Sequence, residues 1–360
     1  MRVIAFFLLL FFFPYIGAQD RSTEAEKGVL DLRGLKDQEH FIVNLNGEWE
    51  FYWKKMLHPH DFVGGSIIPD YYGRVPSYWT DYPERTGTEN NGYATYRLVV
   101  ILPPEFRKPL AIDLPVFDSA YDIYIDGKYV GGNGIPGKSA EETTPGYMRN
   151  FSRIQPVSDS MQIIINVSNY HHHRGGFWLP ARIGTFEDTK DRLANSWAGE
   201  WSVISLLLGF SLLFLFFFIA LPKDKITIFY SILAFGLAMR PLFTNHFLIS
   251  NFFDIPWNWL IKCEYIGLCL VITGLAWFAR NLYPSKFAKI SSLVITVACS
   301  VIFLIVVFSP VKIFSYSFLL IHPVVIVLLM YLLVKSVTGA LTGNKIDMVY
   351  LFVFTLVLAG

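Results

Sequence analysis

The sequence predicts an all-β sandwich or jelly roll held outside the cytoplasm and, after it, an α-helical transmembrane bundle. Three observations carry this reading. A short apolar run opens the chain, a polar half with period-2 alternation follows, and the second half is a series of apolar runs long enough to cross a bilayer. Composition agrees, because 53% hydrophobic residues, 32 Phe and only 16% charged residues exceed what one water-soluble core of this length uses. The excess is expected to face lipid.

The opening run, Val3 to Ile16 behind Arg2 and ahead of Gly17-Ala18, reads as a signal peptide over residues 1–18. About 14 apolar residues rise ~21 Å as a helix, short of a ~30 Å hydrocarbon core, so cleavage is expected rather than anchoring.

Residues 21–191 are rich in Gly, Pro, Asn and aromatics and break into short alternating runs separated by turn signals. Strands are predicted at Asn46 to Trp53, Tyr93 to Leu102, Leu110 to Leu114, Ala120 to Ile125 and Gln162 to Val167. A tight hairpin turn is expected at Asp126-Gly127. Many strands without a long helical pattern suit a sandwich or jelly roll. The three cysteines, Cys263, Cys269 and Cys299, lie in the apolar half, so this domain must fold on packing alone.

Residues 199–360 form the predicted bundle. Its spans are Trp201 to Leu221, Ile226 to Phe243, Trp257 to Phe278, Ile290 to Phe308, Phe314 to Val334 and Met348 to Gly360. The last covers only ~20 Å, so the sequence stops within a sixth helix, and a seventh helix with a C-terminal part is expected beyond it. Lys223, Lys225, Arg280, Lys286, Lys289, Lys335 and Lys345 fall in loops one, three and five, against Lys312 alone in loops two and four. Positive residues stay on the cytoplasmic side, which places the β domain outside.

No Gly-rich phosphate loop, His-Glu-x-x-His helix or Gly-x-Ser-x-Gly elbow is present. No catalytic residue, metal ligand or cofactor is therefore predicted. A net charge of +1 without a basic cluster excludes nucleic acid as an expected partner. His171, His172 and His173 would alternate faces on a strand, so they read as a loop edge rather than a metal site. Exposed aromatics at the end of a sandwich are the better ligand signal, since flat ligand faces stack on them. Trp79, Tyr82 and Trp178 are the candidates, with His173 and Arg174 beside the last, while Trp49 reads as core. Within the membrane, Arg240, Lys262, Glu264 and His322 are costly in lipid and are expected to face the bundle interior, the interface or a partner. Arg240 and Glu264 both lie towards the outer side and are placed to pair; alternatively, Lys262 and Glu264 snorkel at the mouth of the third helix.

Several segments resemble a known family. Leu45-Asn46-Gly47-Glu48-Trp49-Glu50-Phe51, Val75-Pro76-Ser77-Tyr78-Trp79, Tyr93-Ala94-Thr95-Tyr96-Arg97 and Tyr124-Ile125-Asp126-Gly127-Lys128-Tyr129-Val130-Gly131 resemble, in that order, the galactose-binding-like jelly roll of β-galactosidase-type glycosidases. Val167-Ser168-Asn169, Arg174-Gly175-Gly176-Phe177-Trp178 and Ile183-Gly184 resemble the end of that module. Joined to a helix bundle, it is similar to the bacterial seven-transmembrane receptors with diverse intracellular signalling modules. The resemblance implies a sensory receptor in the bacterial inner membrane, with a jelly roll outside that binds a small-molecule or carbohydrate ligand. It implies binding without cleavage, because the barrel that carries the glycosidase carboxylates is absent. A kinase, cyclase, diguanylate cyclase or phosphatase follows helix seven in that family, so a cytoplasmic signalling module, the lipid bilayer and a second copy in a homodimer are the expected partners. The rival readings are a transporter with an accessory outer domain, to which His322-Pro323 lends one possible kink site, and a structural or protein-contact module.

Overall fold

A computed structural model describes residues 24–351 apart from 36–38, 65–66, 84–88, 118–119, 222–225, 346 and 349–350. The predicted signal peptide and nearly all of the predicted sixth span lie outside the described residues. The chain divides into two compact units, one of them Asp20–Trp197 and the other taking in Ala198–Gly360, whose described residues are mostly helical.

The first unit is a sandwich of two antiparallel sheets. The larger runs in the order β4 (Tyr71–Val75), β3 (Gly47–Trp53), β6 (Gly92–Ile101), β11 (Ser160–Asn169), β8 (Ala120–Ile125) and β9 (Lys128–Asn133), with β1 (Val29–Asp31) pairing parallel to β6. The smaller runs β10 (Asn150–Ile154), β7 (Leu110–Leu114), β13 (Arg182–Thr185) and β2 (Ile42–Asn44). A two-stranded ribbon joins β5 (Ser77–Tyr78) to β12 (Gly176–Phe177).

Alternation selects the faces. On β6, Tyr96, Leu98 and Val100 are buried while Arg97 and Val99 are not; on β8, Tyr121, Ile123 and Ile125 point inward and Asp122 and Tyr124 outward. The inward sets of both sheets form one core containing Trp49, Phe51, Tyr96, Ile112, Ile163 and Ile183. Each such side chain stabilises the fold by roughly 1.5–3 kcal/mol over its exposed state. The predicted strands are all present. β11 exceeds its predicted length at both ends because it pairs with β6 from Ser160 opposite Ile101 to Asn169 opposite Gly92. The Asp126-Gly127 turn joins β8 to β9.

One charged group is deeply buried in this unit. Asp113 on β7 accepts two hydrogen bonds of 2.6 Å from Arg149, with Arg182 3.8 Å away. The bidentate geometry compensates the desolvation of the carboxylate.

Helix α1 (Phe186–Ala220) runs from the first unit into the second and starts five residues before the predicted domain end at Asp191; five helices among the described residues are long and apolar enough to cross a membrane. The helix starts early because Thr185 donates to Asp188 and Glu187 and Asp188 occupy the first turn, where the helix dipole favours anions. The others are α2 (Ile226–Phe243), α3 (Trp257–Leu282), α4 (Lys286–Phe308) and α5 (Phe318–Leu341). The fifth begins four residues after the predicted Phe314, because a short helical turn, Val311–Phe314, and a 3-10 turn, Ser315–Ser317, precede it.

Of the most apolar window in each helix, 56% of α2 and 61% of α3 is buried, against 22%, 22% and 17% for α1, α4 and the span at Pro323–Leu341 in α5. Thus α2 and α3 form the centre, and the apolar excess of the other three is left outward, as lipid requires. Ser211 and Ser231 exchange hydrogen bonds that tie α1 to α2.

Candidate functional site

The β5–β12 ribbon positions a small cluster at one end of the sandwich. Gly176 has φ +118°, and a Cβ there would lie 2.9 Å from both the Ser77 carbonyl oxygen and the Trp79 nitrogen. Only glycine lets the two short strands approach this closely. The preceding loop is held by Asn169, whose side-chain amide donates to the carbonyls of Asn90 at 2.7 Å and His172 at 2.9 Å.

The three histidines take separate roles in that loop. His171 Nε2 faces the carbonyls of Ala140 and Thr143 at 3.2 and 3.0 Å. His172 is buried, and its Nδ1 accepts from the Arg174 backbone N–H at 3.2 Å, which assigns its proton to Nε2. His173 is half-buried, with its ring 4.5 Å from that of His172.

Arg174 and Trp178 are brought together as a contact pair. The guanidinium carbon lies 4.4 Å from the indole centroid, a cation–π contact, and the Trp178 N–H donates to the Phe117 carbonyl at 3.0 Å. Tyr78 completes a half-buried ledge, its ring 5.7 Å from Trp178 at 30°. Asp81, an exposed residue beside Tyr78, accepts from Ser77 Oγ and the Tyr78 N–H, both at 3.2 Å. Two ring faces, a guanidinium and a carboxylate are the groups that hold a flat, hydroxyl-bearing ligand.

Two sequence candidates are corrected. Trp79 is fully buried and donates to the Tyr96 hydroxyl at 2.8 Å; Tyr82 is 6% exposed and donates to the Arg74 carbonyl at 3.1 Å. Both are core, so neither offers a face to an outside ligand, and burial holds the hydroxyls of Tyr82 and Tyr96 well above the usual phenol range. Tyr78 is the neighbour that sequence reasoning passed over. No periodic signal marked it, because β5 ends at Tyr78 and a 3-10 turn begins at Trp79.

The intramembrane candidates separate similarly. Lys262 is 9% exposed; its Nζ donates to the Val307 carbonyl at 2.7 Å and lies 5.0 Å from the Trp259 ring. It caps the C-terminal turn of α4, where cations are favoured, rather than snorkelling. Arg240 is exposed and makes no ion pair among the described residues, so the expected pair with Glu264 is not formed. Glu264 is half-buried on α3. His322 is in α5 immediately before Pro323, and its side chain lies outside the described residues.

A β sandwich followed by apolar helices defines the class: a multi-pass membrane protein with a non-membrane all-β domain. Residues 201–360 match the family model described as 7TM diverse intracellular signalling. The matched segment takes in the helical part of the chain. No curated protein matches significantly in sequence. Among solved structures, a GH2 β-galacturonidase from Eisenbergiella tayi matches at 14% identity and TM-score 0.28, over 41% of this chain and 24% of that one. A Ruminococcus gnavus β-glucuronidase matches at 12% identity and TM-score 0.32, over 42% and 29%. A Faecalibacterium prausnitzii β-glucuronidase does so at 12% and 0.32, over 42% and 32%. The match thus spans about a third or less of those enzymes, and similarity at this level implies no shared activity.

Proposed function

We propose that the chain is a transmembrane sensory receptor whose β sandwich binds an extracytoplasmic ligand and whose helices pass the bound state to a cytoplasmic signalling module. The observation that carries this reading is the match of residues 201–360 to a signalling family. The seven-to-one distribution of loop cations supports the outward placement of the sandwich. The Tyr78–Trp178–Arg174 ledge is the ligand-contact surface in this proposal, with Asp81 beside Tyr78. Carbohydrate is the favoured class, because aromatic faces take the apolar side of a sugar ring while charged groups take its hydroxyls. The reading gives the sandwich no catalytic role. For signal to pass, ligand must bind one state of the receptor more tightly than the other.

The test is a thermal-shift screen of the purified protein against neutral and acidic glycans, since a ligand that binds only the folded state raises its Tm. A hit is expected to be lost in Trp178→Ala and Tyr78→Ala; the ligand-free Tm should hold in Tyr78→Ala and fall in Trp178→Ala, because Trp178 packs against the core and donates to Phe117. A hit that survives both substitutions would move the site elsewhere on the sandwich. No hit across a broad library would favour the structural or protein-contact reading.

A further inference from the structure

We propose that the surface where α3 meets the start of α4 binds the phosphate of an anionic lipid headgroup. On α3, Trp277 stacks on Phe229 of α2 with centroids 4.3 Å apart and planes 1° from parallel. The Arg280 guanidinium carbon lies 4.4 Å from the Trp277 ring, and Arg280 Nη1 reaches Ser292 Oγ on α4 at 3.4 Å. Ser292 Oγ donates in turn to the Lys289 carbonyl at 3.0 Å. Arg280 is therefore held against the first turns of α4, which carry the exposed Lys286 and Lys289 three residues apart.

Arg280, Lys286 and Lys289 share this end of the α3–α4 pair, and none of them makes an ion pair among the described residues. Like charges on neighbouring turns repel one another, and a phosphate is an anion that such donors suit. Arg280 is already oriented by the indole, so little of its freedom is lost on binding.

The surroundings select a lipid over a soluble phosphate. Trp277 is a half-buried indole beside the cations, the arrangement of residues at the headgroup level. Directly beyond the lysines, α4 turns outward a strip of exposed apolar side chains, Ile290, Leu293 and Val294. An acyl chain can lie along that strip while its headgroup sits among the cations. The loop-charge distribution assigns this end of the bundle to the cytoplasmic leaflet, where anionic lipids gather.

The test uses the purified, delipidated full chain in a neutral detergent, titrated separately with phosphatidylglycerol, phosphatidylcholine and inorganic phosphate. Retained lipid is read by native mass spectrometry and stability by Tm. Phosphatidylglycerol is expected to be retained and to raise the Tm, while phosphatidylcholine and inorganic phosphate at the same concentrations do neither. Each charge removed is expected to weaken retention about fivefold. Arg280→Gln and the double variant Lys286→Gln/Lys289→Gln are the two probes. The exposed double-lysine variant should keep the lipid-free Tm, which separates lost binding from lost folding. Equal retention of phosphatidylglycerol by wild type and both variants would overturn the proposal, as would an equal Tm rise with inorganic phosphate.

Discussion

Trp79 illustrates how much one buried contact decides at the scale of the residue. Its indole fills the core between Trp53, with centroids 5.0 Å apart, and Tyr96, to whose hydroxyl it donates. Trp79→Ala is expected to destabilise the sandwich by about 3–5 kcal/mol, from cavity and lost transfer energy together. Denaturant melts would check this, and any loss of ligand binding in that variant would report unfolding. Asp122 gives a pH prediction. Burial pushes its carboxyl up despite a 3.3 Å hydrogen bond from Tyr124. The native state then holds a proton that the unfolded chain has released, so this group's contribution to stability falls as pH rises from about 4 through the raised native value. Melts of wild type and Asp122→Asn across that window are expected to show a shallower fall in the variant. An identical pH slope in the two would assign the behaviour to other groups.

Elements are locked by contacts that span sequence distances. Asp113 on β7 is paired with Arg149, 36 residues away, and both are largely buried. Asp113→Ala leaves the Arg149 charge buried and unpaired, and a loss of about 3–5 kcal/mol is expected in equilibrium unfolding. In the segment after α5, Asp347 is 5% exposed and accepts from the Tyr283 hydroxyl at 2.6 Å, while that hydroxyl lies 3.0 Å from Ser336 Oγ. A Cβ on Gly339 would lie 1.9 Å from the Asp347 carboxylate. Gly339→Ala is therefore expected to part α5 from the segment that follows it, at a cost of about 1–3 kcal/mol. The measurement is detergent Tm, with the exposed Thr338→Ala as a control expected to change little.

For the whole molecule, the reading turns on which side of the membrane each loop faces. In a background with Cys263, Cys269 and Cys299 replaced by alanine, Lys312→Cys is expected to react with an impermeant maleimide in intact cells. Lys345→Cys should react only after permeabilisation; the reverse pattern would place the sandwich in the cytoplasm and end the receptor reading. Much of this architecture was legible in the sequence by itself: an all-β half and an apolar helical half, the principal strands of the sandwich, the run of spanning helices and the turn at Asp126-Gly127. Those features follow from local periodicity and from the length of apolar segments, which act through nearest neighbours along the chain. Only the tertiary structure decided that Trp79 and Tyr82 belong to the core while Tyr78, Arg174 and Trp178 share a ledge. It alone showed that Lys262 caps α4 instead of joining a charge layer with Glu264, and that Arg280 lies against a helix carrying two further cations. β5 ends at Tyr78 and a 3-10 turn begins at Trp79, so strand alternation does not relate the two side chains or say which is buried. That choice is made by the pairing of β5 with β12, about 100 residues apart, and contacts at such separation leave no periodic trace in one sequence.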